Sequence, residues 1–252
     1  MPKRIAAIGD VHGMTRELRL LLGALEWMGL DEIWGLGDLV DRGPDSIGSL
    51  RLMRERGIPT ILGNHDASYL NLRKKGYSGS VAKQGIMAQL LPEDWEYLEK
   101  CPLFRVDDSL NTVLVHGGLW PGIPLHKQPF GVVFAQMVHP GRIGEVRWWG
   151  EDEHTQRSRC GYTEAESRKH GFERWYRVWD GPQDVYYGHS VFAQPNVWRN
   201  GKHGLTVGID TGACFGGALT AAIIDGSGEP RFVSVKADKV YAELTNRTLW
   251  EN

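Results

Sequence analysis

Six side chains of metal-ligating type recur at one kind of position in this sequence. Asp10 and His12 lie in Gly9-Asp10-Val11-His12-Gly13, Asp38 in Gly37-Asp38-Leu39-Val40-Asp41-Arg42-Gly43, and Asn64 in Gly63-Asn64-His65-Asp66. His116 opens His116-Gly117-Gly118, and His189 follows Gly188 in Gly188-His189-Ser190. Each stands just after a short apolar run and has a glycine beside it or one residue away. An isolated Asp-x-His at a strand end is explained equally well as a cap on its own turn. Six such placements together point to one cation cluster. Carboxylate and imidazole donors in combination suit Mn, Fe or Zn, whereas all-oxygen sites suit Mg or Ca. Two such metals side by side would clamp an in-line displacement at phosphorus.

The elements that must position these residues can be read from apolar periodicity. Arg4–Ile8, Glu32–Leu36 and Ile58–Leu62 read as buried strands, each delivering one of the first three blocks at its end. Thr15–Met28 places Leu18, Leu21, Leu22 and Leu25 at helical spacing, with Gly29 as a stop. Ser46–Arg56 forms a second helix, capped by Asp45 or Ser46, and Ala67–Lys74 a third, with Asp66 as its cap. This βαβαβ rhythm implies parallel strands joined by right-handed crossovers. Ligands in open α/β sheets bind outside the carboxyl ends of strands, so the blocks should converge there. The stretch from Gly76 to Lys100 is helical but broken by Gly79, Gly85 and Pro92. Leu103–Val106 and Thr112–Val115 read as a hairpin. Val185–Tyr187, Thr206–Ile209, Ala218–Ile224 and Arg231–Val235 read as strands, the last three as one run, and the second half could form a second sheet packed on the first.

Residues 128–181 carry Trp148, Trp149, Trp175 and Trp179 among dense charge. They read either as an ordinary helical subdomain or as a cap that turns aromatic rings toward a substrate. The domain expectation is one unit over residues 1–252 containing that segment.

Composition narrows the class. With 29 Lys+Arg against 31 Asp+Glu, nothing favours a nucleic acid as the main partner. The 3 cysteines are dispersed, without a CxxC, which fits a reducing compartment and argues against a structural zinc site. No apolar run approaches membrane-spanning length and no leader pattern opens the chain, so the expectation is a cytoplasmic protein. His126, His139, His154, His170 and His203 lack the strand-end placement and read as surface residues. Cys214, in a glycine-rich turn, reads as a packed thiol. Asp210 could orient a ligand histidine or cap its own turn.

The motifs Gly-Asp-x-His-Gly, Gly-Asp-x-x-Asp-Arg-Gly and Gly-Asn-His-Asp, followed by His-Gly-Gly and Gly-His-Ser, resemble calcineurin-like metallophosphoesterases of the phosphoprotein phosphatase type. The resemblance runs from Asp10 to about Ala222, since Ile209–Thr220 is similar to that group's closing segment. Tyr187-Gly188-His189-Ser190 and its Trp-rich approach look most like bacterial PrpE-like symmetrical diadenosine tetraphosphatases. The resemblance implies a four-layer sandwich of two mixed sheets flanked by helices. It assigns Asp10 and His12 to a first metal, Asp38 as a bridge, and Asn64, His116 and His189 to a second. The two divalent ions would be Mn²⁺, with Fe, Zn or Co as alternatives. A hydroxide between them, its pKa far below the ~15.7 of bulk water, would attack phosphorus in line.

Arg42 suits bidentate contact with phosphoryl oxygens. His65 would protonate the leaving oxygen, with Asp41 holding its other ring nitrogen. Related enzymes often add a second phosphate-binding Arg between the His116 and His189 blocks. Arg142, Arg147, Arg157 and Arg159 compete for that place, and Arg147 is the choice. Gly117 stands where related enzymes commonly carry Ala, a change read as harmless. The implied substrate is a dinucleoside polyphosphate, its adenine stacked and its phosphates held by Trp and basic residues between Gln128 and Arg177. The alternative is a phosphoserine or phosphothreonine protein, and a third reading is a non-catalytic metal-dependent scaffold.

Overall fold

The computed structural model describes residues 3–76, 79–142, 146–147, 164–201 and 204–243. In chain order, β1 (Ile5–Ile8), α1 (Thr15–Leu25), β2 (Glu32–Gly35), α2 (Ser46–Glu55), α3 (Asn64–Lys75), α4 (Val81–Met87) and α5 (Pro92–Glu99) form the first half. Next come β3 (Phe104–Asp107), β4 (Thr112–Val115), β5 (Met137–Val138), β6 (Val146–Arg147) and β7 (Glu173–Arg174). The chain closes through β8 (Asp184–Tyr187), β9 (Asn196–Arg199), β10 (Leu205–Gly208), β11 (Ala218–Ile224) and β12 (Arg231–Lys236).

The strands build two mixed sheets, ordered β12-β11-β1-β2 and β3-β4-β8-β10-β9. In the first, β1 runs parallel to β2, Ile5 opposite Glu32 and Ile8 opposite Gly35, and antiparallel to β11. In the second, β4, β8 and β10 are mutually parallel. The period-2 alternation of each strand decides what each face meets. Ile5 and Ala7 of β1 join Leu114, Tyr186, Leu205 and Val207 in a core between the sheets. Ala6 and Ile8 face the other way, onto Leu18, Leu21 and Leu25 of α1. Val113, Val115, Val185 and Tyr187 face outward from the second sheet and are covered by Trp120, Trp175 and Trp179.

The fold is thus a mixed α/β sandwich of two sheets with flanking helices, as expected, and the readings of β1, β2, α2 and the β3–β4 hairpin hold. Several others are corrected. Ile58–Leu62 is not a full strand: Pro59 has no N–H to give, and only a parallel bridge forms, with Gly35 N–H donating to Pro59 O and Ile61 N–H to Gly35 O. The first helix stops at Leu25 rather than Met28. The run of three final strands is split, with β10 in the second sheet and β11 and β12 returning to the first. The second sheet therefore takes only part of the second half.

Of residues 128–181, read as a helical subdomain or a substrate-facing cap, the structure describes 128–142, 146–147 and 164–181. The described part holds a three-stranded sheet ordered β6-β5-β7, single helical turns and the short helix Glu164–Lys169, and Val138, Tyr176, Trp175 and Trp179 pack on the second sheet. Trp175 and Trp179 are core residues. Trp148, Trp149, Arg157, Arg159, His154, Cys160 and His203 lie outside the described residues. No helix among the described residues is long and apolar enough to cross a membrane.

Candidate dinuclear metal centre

The four parallel strands β1, β2, β4 and β8 end on one edge of the sandwich, and each hands the chain to a site residue within a few positions. The turns that follow are tight. Six non-glycine residues among those described have positive φ, and five belong to the site: His12 (44°), Asp38 (50°), Asp41 (71°), Arg42 (66°) and His189 (63°). Left-handed backbone costs a non-glycine residue about 1–3 kcal/mol and persists where the surroundings enforce it, characteristically at functional sites. The glycines provide the room. A Cβ on Gly63 would collide with the Asp38 backbone and carboxylate, and one on Gly188 with the Asp10 carboxylate.

Four of the six proposed ligand side chains are held by main-chain groups elsewhere in the chain. His12 Nδ1 pairs with Val40 O at 2.9 Å and His116 Nδ1 with Leu36 O at 2.7 Å, so both rings donate through Nδ1 and turn Nε2 inward. Asp38 Oδ1 accepts from His65 N–H at 2.8 Å. Its Oδ2 lies 3.6 Å from His12 Nε2 and 3.4 Å from His116 Nε2. Asp10 accepts from His189 N–H at 3.0 and 3.1 Å, with its Oδ2 3.9 Å from His12 Nε2. Asn64 Oδ1 is 2.9 Å from His116 Nε2.

Two groups result, with ligand atoms within 4.8 Å of one another: His12, Asp38 and His65, and Asp38, His116 and His189. Asp38 belongs to both. The sequence placed Asp10 rather than His65 beside His12. Both are near it, but Arg42 Nη1 and Nη2 hold His12 Nε2 and His65 Nε2 at 2.9 and 3.0 Å.

The donor set fits divalent cations. His189 Nε2 is buried without a hydrogen-bond partner, a cost that a bound cation would remove. Burial drives the His189 ring down to about 3, and burial with the Arg42 charge drives His12 well below its usual range. Both are therefore neutral imidazoles with a lone pair to give. Burial, then Asp210 and Asp38, push Asp10 well above the carboxylate range. Burial alone would also lift Asp38, but His116 and His65 hold it well below. His116 in turn resists burial and is pushed up to about 10 by Asp38 and Asp10. Crowded buried carboxylates answered by a proton on an imidazole form the balance that a metal ion would take over.

Beside this centre, His65 Nδ1 lies 2.7 Å from Asp41 Oδ2. Arg42 is also 5.2 Å from the Phe215 ring centroid, so the glycine-rich turn at Gly212 supports it. Asp66 is corrected: it is the third residue of α3, fully buried, and accepts from Leu39 N–H at 3.0 Å instead of capping the helix. Burial and the nearby Asp38 push it up to about 7. Asp210 caps its own turn through Gly212 N–H at 3.0 Å. Cys214 is buried, as expected of a packed thiol. Gly117, where related enzymes commonly carry Ala, is suited to this chain: a Cβ there would stand 2.7 Å from the Phe134 backbone. Arg147 sits in β6, its side chain outside the described residues, and Arg142 is exposed. Sequence reasoning missed Tyr69 and Lys83, which both reach Asp41. Tyr69 had a signal, lying one helical turn after His65; Lys83 had none.

Residues 3–193 match the family described as calcineurin-like phosphoesterase. The chain belongs to that family. It is 30% identical over 265 residues to a symmetrical bis(5'-nucleosyl)-tetraphosphatase of Coxiella burnetii, covering 87% of this chain and 88% of that protein. A protein of the same description from Pectobacterium carotovorum is 38% identical over 121 residues, 45% of this chain and 43% of its own. Among solved structures, a candidate diadenosine tetraphosphatase superposes with TM-score 0.70 at 27% identity, covering 94% of this chain and 95% of that one. A metallophosphoesterase from Sphaerobacter thermophilus shares the fold, at TM-score 0.55 and 18% identity. These family members are hydrolases, and membership implies divalent metal ions, for which the two groups sharing Asp38 are candidates.

Proposed function

We propose that this metallophosphoesterase hydrolyses dinucleoside polyphosphates of the diadenosine tetraphosphate kind with two Mn²⁺ ions. The observation that carries the chemistry is the pair of groups sharing Asp38, one of which includes His65, with Arg42 alongside. The substrate class rests on the relatives' names and on the length over which they match. Asp10 and His12 would hold one ion, Asn64, His116 and His189 the other, and Asp38 both. Bound there, the ions would supply Lewis acidity and lower the pKa of water.

The chain's own residues do the rest. Arg42 has a planar fork that two phosphoryl oxygens can take in place of His12 and His65. Released from Arg42, His65 Nε2 can carry a proton to the leaving oxygen, while Asp41 on Nδ1 keeps the ring oriented. Arg147 is the proposed second phosphate contact, and the whole chain is taken as one cytoplasmic unit with residues 128–181 as its substrate-facing part.

The test is a Mn²⁺-loaded panel of diadenosine tetraphosphate, a phosphoserine peptide and p-nitrophenyl phosphate, read as kcat/KM with product identification. The expected result is preference for the dinucleotide with two molecules of ADP as product. Preference for the peptide would move the function to protein dephosphorylation, and absence of turnover with any divalent metal would leave a scaffold.

A further inference from the structure

The carboxylate of Asp41 is a hub whose contacts go beyond His65. Its Oδ2 lies 2.7 Å from His65 Nδ1 and 3.2 Å from Lys83 Nζ, and its Oδ1 accepts the Tyr69 hydroxyl. Tyr69 is fully buried in α3, one turn after His65. Lys83 comes from α4, a helix without a buried side chain, yet its ammonium sits on Asp41 and on Ser68 Oγ, 4.6 Å from the Tyr69 ring centroid. Asp41 itself stands on left-handed backbone, with its N–H on Ser46 Oγ at 2.9 Å. No strand neighbour therefore fixes its side chain.

We propose that Tyr69 and Lys83 are positioning residues that lock the Asp41 carboxylate and, through it, the plane of the His65 ring. A carboxylate on one donor can rotate and offer either oxygen. With the Tyr69 hydroxyl on Oδ1 and His65 on Oδ2, any rotation short of a half-turn breaks both bonds and leaves the buried hydroxyl unpaired. Lys83 adds an ion pair at 3.2 Å to Oδ2, the oxygen that also meets His65 Nδ1. His65 Nε2 is thereby kept facing Arg42 and the centre. A nearly solvent-exposed helix thus takes part in the geometry of the reaction.

The catalytic meaning rests on the reading of His65 as leaving-group acid; the geometric statement does not. The test compares Tyr69→Phe and Lys83→Met in the full chain, alone and combined with His65→Asn. The first readout is the low-field Nδ1 proton of His65 in the zinc-loaded, diamagnetic protein, assigned by its loss in His65→Asn. Both variants are expected to move or broaden this signal with zinc content unchanged. In the Mn²⁺-loaded enzyme, Tyr69→Phe should slow phenyl phosphate about tenfold and p-nitrophenyl phosphate much less, by the logic of general acid catalysis.

The KM should hold, and neither variant should slow His65→Asn further. An unmoved proton signal in both variants overturns the proposal, as does full additivity with His65→Asn. If His65→Asn slows all leaving groups alike, the acid reading fails while the proton signal still decides the positioning.

Discussion

The strand-end blocks and the outer layer over the second sheet are built on opposite plans. In the blocks, ligand side chains are fixed by the backbone of a neighbouring block: His12 on Val40 O, His116 on Leu36 O, Asp38 on His65 N–H and Asp10 on His189 N–H. Turns and ligands therefore interlock, and moving one block displaces the others. In the outer layer, aromatic side chains do the fixing. Trp175 meets Tyr187 edge-on at 4.8 Å between centroids, and Tyr176 stacks on Tyr187 at 5.8 Å. Geometry is set by hydrogen bonds in the first region and by volume in the second. Substitutions should cost activity in one and stability in the other.

The sharpest way to break that contrast is Asp38→Ala. The residue belongs to both ligand groups and also holds the His65 N–H. Losing it should cost activity on the order of 10³-fold or more, since it removes Lewis-acid stabilisation worth several kcal/mol. Bound metal should fall from two ions per chain to one or none by elemental analysis, while the aromatic near-UV circular dichroism stays close to wild type. Two ions retained would show that the groups do not share this carboxylate.

His65→Asn comes next. It should slow poor leaving groups by about 10²–10⁴-fold and spare good ones, with metal content unchanged. Equal slowing of all substrates would return His65 to the role of ligand that its place beside His12 and Asp38 also permits.

A smaller effect follows from the charges. His116 is pushed up to about 10 by Asp38 and Asp10 against the effect of burial. A group raised in the fold contributes stability that is complete below its unfolded pKa and disappears as pH rises through the folded one. In the metal-stripped protein this contribution should therefore be complete below about 6.5 and be lost toward about 10. His189, driven down to about 3 by burial, acts at the other end: its contribution should disappear as pH falls from about 6.5 toward 3. Loading metal at pH 7 must displace the His116 proton, so about one proton should be released per chain. Calorimetric titrations in two buffers of different ionisation heat measure this. No release would mean that His116 does not carry the balancing proton.

Legibility follows the same division. The six proposed metal ligands, with Asp41, Arg42 and His65, stood out because each is a polar residue near a glycine after an apolar run, and five of them stand on left-handed backbone. Their signal is local. Asp66 was misread because a buried acceptor for Leu39 N–H looks, in sequence, like any helix cap. Ile58–Leu62 was overread as a strand because its apolar pattern hides what Pro59 removes. The split of the last strands between sheets depends on pairing partners far apart in the chain, which periodicity does not carry. In the outer layer, a tryptophan with charged neighbours reads the same whether it faces a substrate or a core.

Trp175→Phe tests that last ambiguity. The ring is fully buried against Tyr187 and lines the space beside Gly118, where a Cβ would meet it at 2.6 Å. Replacing indole by the smaller phenyl leaves a void that the surrounding side chains can only partly close, at a cost of about 1–3 kcal/mol. Thermal denaturation should show that loss. The KM for diadenosine tetraphosphate should stay within about twofold, because a side chain without exposed surface has no face to lend to a base. Gly118 is two residues from His116, so a modest fall in kcat through that loop is compatible with a packing role. A rise in KM at unchanged melting temperature is not, and would place Trp175 on the substrate side after all.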